Sequence, residues 1–185
     1  MFKVRLFERE EPPRKAHYIR LAIYFAIAAL AIGLDQLTKW LVVQNMELKE
    51  SIPLWEGVFH FTYVTNTGAA FSILNKPEQR WIFILISSIA IVALLFYLWA
   101  DRTLPRLGGI SLAMILGGGI GNMIDRLALG YVVDFFDFRL INFAVFNVAD
   151  CFVCIGAGLM ILTLILNWVE EFKKNKNNKE ETHDL

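Results

Sequence analysis

Two aspartates in apolar surroundings are the residues whose chemistry most needs an explanation. Asp134 lies among valines and phenylalanines in VVDFFDF (Val132–Phe138), where packing gives no reason for a carboxylate. Asp150 lies three residues after Asn147, at the start of a long apolar run. Asn147 is a typical helix N-cap, and the helix dipole favours a carboxylate in the first turn. Capping explains Asp150 alone but does not explain Asp134, so we predict that the two carboxylates form a site.

Paired carboxylates have a definite chemical use. When they are held close together they cannot both ionise, and they share one proton near neutral pH. The ionised member can take a proton from water while the protonated member polarises the carbonyl group that the water attacks. The pair of Asp134 and Asp150 therefore predicts a hydrolase that needs no metal, cofactor, serine or cysteine.

Other catalytic groups give weaker patterns. A serine–lysine pair around Lys39 is an alternative, but no serine lies in a recognisable nucleophile motif. Cys151 and Cys154 lie three residues apart with no histidine nearby, and we interpret them as small apolar residues rather than a redox or metal pair. A zinc peptidase is disfavoured because the histidines are scattered singly; they are His17, His60 and His183.

Long apolar blocks must position these residues. The chain has 185 residues, of which 56% are hydrophobic. A helix of about 20 residues crosses a bilayer, and we predict an all-α integral membrane protein with four transmembrane helices. Gly117 and Gly121 in the third span form a GxxxG pair, which favours close helix packing. The four blocks are Leu21–Val43, Trp81–Ala100, Leu107–Ile124 and Val148–Trp168.

Basic residues are unevenly distributed between the two ends of the predicted bundle. Twelve lysines and arginines fall in the N-terminal segment, the link between the second and third spans, and the C-terminal segment, whereas four fall on the other side. The positive-inside rule then places both termini in the cytoplasm and residues 44–80 outside. The formal net charge is zero, so no overall basic field favours nucleic acid.

This topology divides the chain into three parts. Residues 1–20 are expected to form a cytoplasmic tail, residues 21–168 a four-helix membrane domain, and residues 169–185 a polar, disordered tail. The length and the charges of the first span favour an uncleaved helix over a signal peptide. In the outer loop, Val58–Val64 alternates like a strand, and the apolar segment Asn66–Leu74 predicts a short helix on the membrane surface.

Further polar residues lie in the predicted spans. A charge at the bilayer centre costs roughly 2.5–3.5 kcal/mol, so each needs a reason. Asp35 and Lys39, four residues apart, can neutralise each other on one helical face. Asn122, Asp125 and Arg126 form either a polar helix cap or a group in which the arginine binds a carboxylate or a lipid phosphate.

Two other functions are alternatives, and the first of them also uses acidic residues in membrane spans. A proton-coupled transporter places polar groups near the midplane and toward both faces. Here the acidic residues cluster at one face, and the second span has none. A lipid-binding or assembly protein would need Arg126 and the apolar outer loop, but not both Asp134 and Asp150.

Five motifs, in order along the chain, resemble the signature blocks of lipoprotein signal peptidase, also called signal peptidase II. The resemblance covers about residues 20–168. It implies a bacterial inner-membrane aspartic endopeptidase that removes signal peptides from diacylglyceryl-modified prolipoproteins, cutting just before the lipid-modified cysteine. The motifs are DQLTK (Asp35–Lys39), NTGAAF (Asn66–Phe71), GNMIDR (Gly121–Arg126), VVDFFDF (Val132–Phe138) and FNVAD (Phe146–Asp150).

The resemblance also implies roles for individual residues. Asp134 and Asp150 match the catalytic pair, and Asp137 lies outside it. The expected partners are the prolipoprotein and membrane lipids, with no nucleic acid, and the active site of a monomer is expected near the outer face. Substrate-binding or supporting roles fall on Asp35, Lys39, Asn66, Gly68, Asn122, Asp125, Arg126 and Asn147.

Overall fold

Four long helices carry most of the chain. The computed structural model describes residues 11–68 and 80–183. Each helix is long and apolar enough to cross a membrane, which confirms the four predicted spans. The helices are α1 (Arg14–Asn45), α2 (Arg80–Ala100), α3 (Arg106–Ala128) and α4 (Val148–His183).

Two connections at one end of the bundle form a small antiparallel sheet. Two strands follow α1, and a third links α3 to α4, so that strands distant in sequence pair with each other. The spatial order is the same as the order along the chain. The strands are β1 (Ser51–Trp55), β2 (Phe59–Asn66) and β3 (Val132–Phe138), and a 3-10 turn follows at Arg139–Ile141.

Only one of these strands was predicted. β2 confirms the strand expected from the alternation in Val58–Val64. β3 is a short continuous run of β-branched and aromatic residues, a composition that favours a buried strand but lacks alternation. Most of the surface helix predicted at Asn66–Leu74, namely residues 69–74, lies outside the described part of the chain.

α3 is the central helix and contacts the other three. Its glycines permit close approach. A Cβ atom on Gly117 would lie 2.6 Å from the nearest side chain of α1, and one on Gly121 would lie 2.6 Å from Oδ2 of Asp35. A Cβ atom on Gly118 would overlap a backbone oxygen of α4. The predicted GxxxG pair therefore faces α1, and the glycine beside it faces α4.

The outward surfaces of the helices are apolar. Leucine, alanine and tyrosine side chains from α1, α2, α3 and the link between α2 and α3 form a buried core cluster. On its outward side α2 exposes large apolar residues about one turn apart, as expected for a helix in contact with lipid. These residues are Trp81, Leu85, Ile89, Val92, Phe96 and Trp99.

Two helices extend beyond the apolar blocks that predicted them. α1 begins at Arg14 instead of residue 21, directly after Pro13, whose fixed φ suits a helix start. α4 continues to His183, beyond Trp168, where the predicted span ends. This segment contains no glycine or proline and is rich in lysine and glutamate, which are good helix formers in water.

Candidate active site

Ten predicted site residues meet at the end of the bundle that carries the sheet. Hydrogen bonds and ion pairs join all of them into one network. The network draws on three helices and two strands. Its members are Asp35 and Lys39 in α1, Asn66 and Gly68 at the end of β2, Asn122, Asp125 and Arg126 in α3, Asp134 in β3, and Asn147 and Asp150 at the start of α4.

Asp134 is buried, and amide donors occupy both of its carboxylate oxygens. Asn147 Nδ2 donates to Oδ1 over 2.6 Å, and Asn66 Nδ2 donates to Oδ2 over 3.1 Å. Burial raises the pKa of Asp134 to about 7; the charge of Asp150 acts in the same direction, and the amide hydrogen bonds oppose it. Near neutral pH this carboxyl group therefore exists in both protonated and ionised forms.

Asp150 lies in the first turn of α4 and is held in a similar way. Asn122 Nδ2 donates to its Oδ1 over 2.9 Å, and the backbone nitrogen of Asn147 donates to its Oδ2 over 3.1 Å. In return, Asn147 Oδ1 accepts from the backbone nitrogen of Asp150 over 3.1 Å. These two bonds form a reciprocal helix cap, which confirms Asn147 as the N-cap of α4.

Asn147 also joins the two aspartates. Its fully buried side chain donates to Asp134, while its backbone nitrogen donates to Asp150. Its Nδ2 also lies 3.0 Å from Oδ1 of Asn122, the second amide that holds Asp150. Both carboxyl groups line the same cavity. The structure therefore brings together the two carboxylates that the sequence delivers from separate elements.

A buried ion cluster lies behind the aspartate pair. Lys39 Nζ lies 2.8 Å from Asp35 Oδ2 and 3.0 Å from Asp125 Oδ2, and all three side chains are at most 4% exposed. Lys39 also donates to Asn122 Oδ1 over 2.8 Å. This bond fixes the orientation of the amide, so that its Nδ2 is directed at Asp150. The predicted pairing of Asp35 with Lys39 is present and includes a second carboxylate.

The two anions of this cluster also hold the backbone beside the aspartate pair. Asp35 Oδ1 accepts from the backbone nitrogen of Ala149 over 2.9 Å. Asp125 Oδ2 accepts from the backbone nitrogen of Val133 over 3.1 Å. Ala149 and Val133 directly precede Asp150 and Asp134 in the chain, so each anion positions one member of the pair.

Gln36 belongs to this network, although the sequence analysis gave it no role. Its Nε2 lies 2.9 Å from Asp125 Oδ1, 3.1 Å from the Gly121 carbonyl oxygen and 3.2 Å from Asp35 Oδ2. It therefore links α1 to α3 beside the ion cluster. An uncharged polar side chain within an apolar span was the signal that could have identified it.

Arg126 in α3 forms hydrogen bonds that connect α3 to the chain after β2. It donates to the carbonyl oxygens of Asn122 and Gly68 over 3.3 and 3.4 Å, and its guanidinium carbon lies 5.5 Å from the ring centroid of Phe83 in α2. A cation over an aromatic face is a favourable contact. Arg126 also lines the cavity, where its remaining N–H groups can reach a ligand.

The cavity beside the aspartate pair has a volume of about 510 Å³. This is within the range of about 300–1,000 Å³ that is common for small-molecule pockets. Its polar wall consists of residues of the network described above. Cys151 and Cys154, both free thiols, extend from Asp150 into the apolar wall. The other apolar residues of the wall are Val132, Phe143, Ala144, Val145, Phe146 and Ile155.

Asp137 lies apart from Asp134 and Asp150 and has its own hydrogen-bond partners. Thr62 Oγ1 donates to its Oδ2 over 2.6 Å, and Arg139 Nε donates to the same oxygen over 3.0 Å. Burial raises the pKa of Asp137, but these hydrogen bonds and the Arg139 charge outweigh burial and hold the pKa below its usual value. Residues three apart on a strand point to opposite faces, which separates Asp137 from Asp134.

Comparison with known proteins gives consistent matches over most of the chain. The family model for signal peptidase (SPase) II matches residues 27–166. The lipoprotein signal peptidase of Halalkalibacterium halodurans is 45% identical over 157 residues, which cover 84% of this chain and 99% of that protein. The lipoprotein signal peptidase of Bacillus subtilis is 44% identical over 147 residues, which cover 78% of this chain and 94% of that protein.

Solved structures agree with the sequence relatives. A bacterial membrane enzyme solved by the in meso method at 2.3 Å matches with a TM-score of 0.73 and 29% identity, over 79% of this chain and 89% of that one. A second, at 1.9 Å, matches with a TM-score of 0.70 and 30% identity, over 77% and 92% of the two chains. With its four membrane-capable helices, this is a multi-pass bacterial membrane protein. On these grounds, the chain belongs to the signal peptidase II family of proteases.

Proposed function

We propose that the chain is an aspartic endopeptidase that removes signal peptides from diacylglyceryl-modified prolipoproteins, cutting just before the lipid-modified cysteine. Asp134 and Asp150 are its catalytic pair. The observation that carries the proposal is the junction of these two carboxyl groups through Asn147, at the wall of a largely apolar cavity. The names of the relatives, lipoprotein signal peptidases, support the class of substrate.

The catalytic pair acts on a water molecule held between the carboxyl groups. Ionised Asp150 takes a proton from the water as the water oxygen attacks the scissile carbonyl carbon, and protonated Asp134 gives its proton to the carbonyl oxygen. In the second step Asp150 protonates the leaving nitrogen, Asp134 takes a proton back from the diol, and the C–N bond breaks. Each carboxyl group ends in its starting form.

The distribution of charge around the pair supports this proton exchange. A lysine or arginine bonded directly to either carboxylate would strongly favour its ionised form. The side chains that donate to Asp134 and Asp150 are instead neutral asparagine amides. Lys39 lies one layer behind them, where it is paired with Asp35 and Asp125 instead.

The cavity supports a lipid-modified substrate. Each methylene that leaves water contributes about 0.8 kcal/mol, so acyl chains against an apolar wall can supply much of the binding energy. The proposed site lies near the outer face of the membrane, with both termini in the cytoplasm. The transport alternative is disfavoured because the titratable network lies at one end of the bundle instead of extending through it.

A cleavage assay with two matched substrates tests the proposal. Purified full-length protein is incubated with one prolipoprotein, either diacylglyceryl-modified or unmodified, and the products are identified by mass spectrometry. We expect cleavage just before the modified cysteine and very slow cleavage of the unmodified form. Equal rates on both substrates would contradict recognition of the lipid. Cleavage of neither substrate would refute the proposed function.

A further inference from the structure

A second cavity lies at the opposite end of the bundle, far from the aspartate pair. It has a volume of about 360 Å³ and lies between the first turns of α1 and the end of α2 with its link to α3. We propose that it binds the phosphate headgroup of an anionic phospholipid. The residues that line it are Arg14, His17, Tyr18, Trp99, Ala100 and Arg102.

Cationic side chains from two separate elements converge on this cavity. Arg14 comes from the first turn of α1, and Arg102 comes from the link between α2 and α3. His17, which is 8% exposed, adds ring nitrogens to the wall. α1 also begins here without a side-chain cap, so the positive end of its dipole adds to the same field. Guanidinium groups suit phosphate because they can donate two parallel hydrogen bonds.

Arg102 is held in position, but its carboxylate partner is replaceable. Its NH1 donates to Glu11 Oε2 and its NH2 to the carbonyl oxygen of Pro12, each over 3.0 Å. Glu11 is 63% exposed, and exposed ion pairs contribute only about 0–1 kcal/mol. A phosphate can therefore displace Glu11 from the guanidinium. Oδ1 of the neighbouring Asp101 accepts from the backbone nitrogen and the hydroxyl of Thr103.

The aromatic walls indicate that the phosphate belongs to a lipid. Tyr18 is 63% exposed and Trp99 is 64% exposed, although both lie at the ends of membrane-spanning helices. Exposed aromatic rings in this position lie at the level of the lipid headgroups. A basic pocket between helices at this level matches the sites that acidic headgroups occupy. Zwitterionic lipids carry a compensating positive charge that the arginines would repel.

Binding is tested on the purified full-length protein in detergent, without reference to cleavage. The probes are phosphatidylglycerol, phosphatidylcholine and inorganic phosphate, and the readouts are the shift in Tm and the lipid retained in native mass spectra. The double variant Arg14→Gln, Arg102→Gln is compared with Lys15→Gln, Arg106→Gln. The control pair removes the same charge from exposed neighbours that lie outside the cavity lining.

We expect phosphatidylglycerol to raise the Tm and to remain bound as one molecule, with affinity roughly tenfold or more weaker in the cavity variant and unchanged in the control. An equal loss in both variants would reduce the effect to general surface charge and overturn the proposal. An equal Tm shift from phosphatidylcholine, or from inorganic phosphate alone, would overturn the assignment to an anionic lipid. Arg14→Gln alone preserves the contacts of Arg102 and is used if the double variant does not fold.

Discussion

At the scale of single residues, the groups that orient the two aspartates of the candidate site are not the groups of the ion cluster. Neutral amides contact the two aspartates, and the full charges of Asp35, Lys39 and Asp125 lie one layer further back. This arrangement fixes both carboxyl groups in space, and under the proposed mechanism it leaves their shared proton free to move. Where two carboxyl groups share a proton, kinetic measurements report apparent pKa values of the pair, not of either member.

The aspartate pair is tested by isosteric substitution. Asparagine keeps the size of the side chain but cannot exchange a proton, so Asp134→Asn and Asp150→Asn should each lower kcat by at least about 10²–10⁴-fold. The double variant should lose little more than either single variant, because the pair acts as a unit. Single-turnover cleavage assays on protein of wild-type stability make the measurement.

Asp137→Asn is the internal control for these variants. Asp137 bonds to Thr62 and Arg139 on the other face of the strand, so this variant should keep much of its activity. An inactive Asp137→Asn together with an active Asp134→Asn would show that the wrong aspartate had been assigned.

The pH dependence of kcat/KM follows from the raised pKa of Asp134. As pH rises through about 7, Asp134 loses the proton that it must give to the substrate carbonyl, so activity should fall. Activity should also fall in acid, because the proposed mechanism needs one ionised carboxylate to take a proton from water. A profile measured with the free enzyme that stays flat between pH 5 and 9 would contradict a proton-sharing pair.

The same pKa makes a prediction about stability. Because folding raises the pKa of Asp134 from 3.8 to about 7, the folded state binds this proton more tightly than the unfolded state. Its contribution to stability is therefore greatest in acid and is lost as pH rises through about 7. The Tm of the wild type relative to Asp134→Asn should decrease from pH 5 to pH 8. A difference in Tm that does not change with pH would contradict the shift.

At the scale of helices and strands, the glycines of α3 set the distance between the parts of the site. Gly118 and Gly119 are neighbours with different surroundings. A Cβ atom on Gly118 would overlap the carbonyl oxygen of Ala149, directly before Asp150, whereas a Cβ atom on Gly119 has nothing within 4 Å. Gly118 is therefore the glycine that brings α4 against α3.

The corresponding alanine variants should have opposite effects on stability. Gly118→Ala should lower the free energy of unfolding by about 1–3 kcal/mol, because it overpacks the contact between α3 and α4. Gly119→Ala should be neutral or should stabilise the helix by up to about 1 kcal/mol. Unfolding in mixed micelles measures both, and equal effects of the two variants would refute the close contact at Gly118.

The elements could be predicted from the sequence to different degrees. The spans were predictable because a bilayer requires long apolar helices, and many apolar residues in each span indicate the same helix. β3 was not predicted, because its pairing with β2 depends on a partner about 70 residues away in the chain. The site residues were recognisable by type and motif, but the contacts of Asp35 and Asp125 with the backbone depend on how three helices meet.

At the scale of the whole molecule, orientation in the membrane is the main prediction. Single cysteines placed at Lys49 and Lys174, in a background without Cys151 and Cys154, should react with an impermeant maleimide from opposite sides of intact cells or vesicles. Lys49 should be labelled from outside, and Lys174 only after permeabilisation. Labelling of both from the same side would overturn the four-span topology and the outer-face site.

The order of the network residues along the chain determines when the network can be complete during synthesis. The ribosome delivers Asp35 first and Asp150 last of the ten network residues, after three helices have already emerged. Until α4 is inserted, Asp134 lacks both the amide of Asn147 and its carboxyl partner. Under the proposed mechanism, a growing chain cannot hydrolyse its substrate until the last span brings Asp150 beside Asp134.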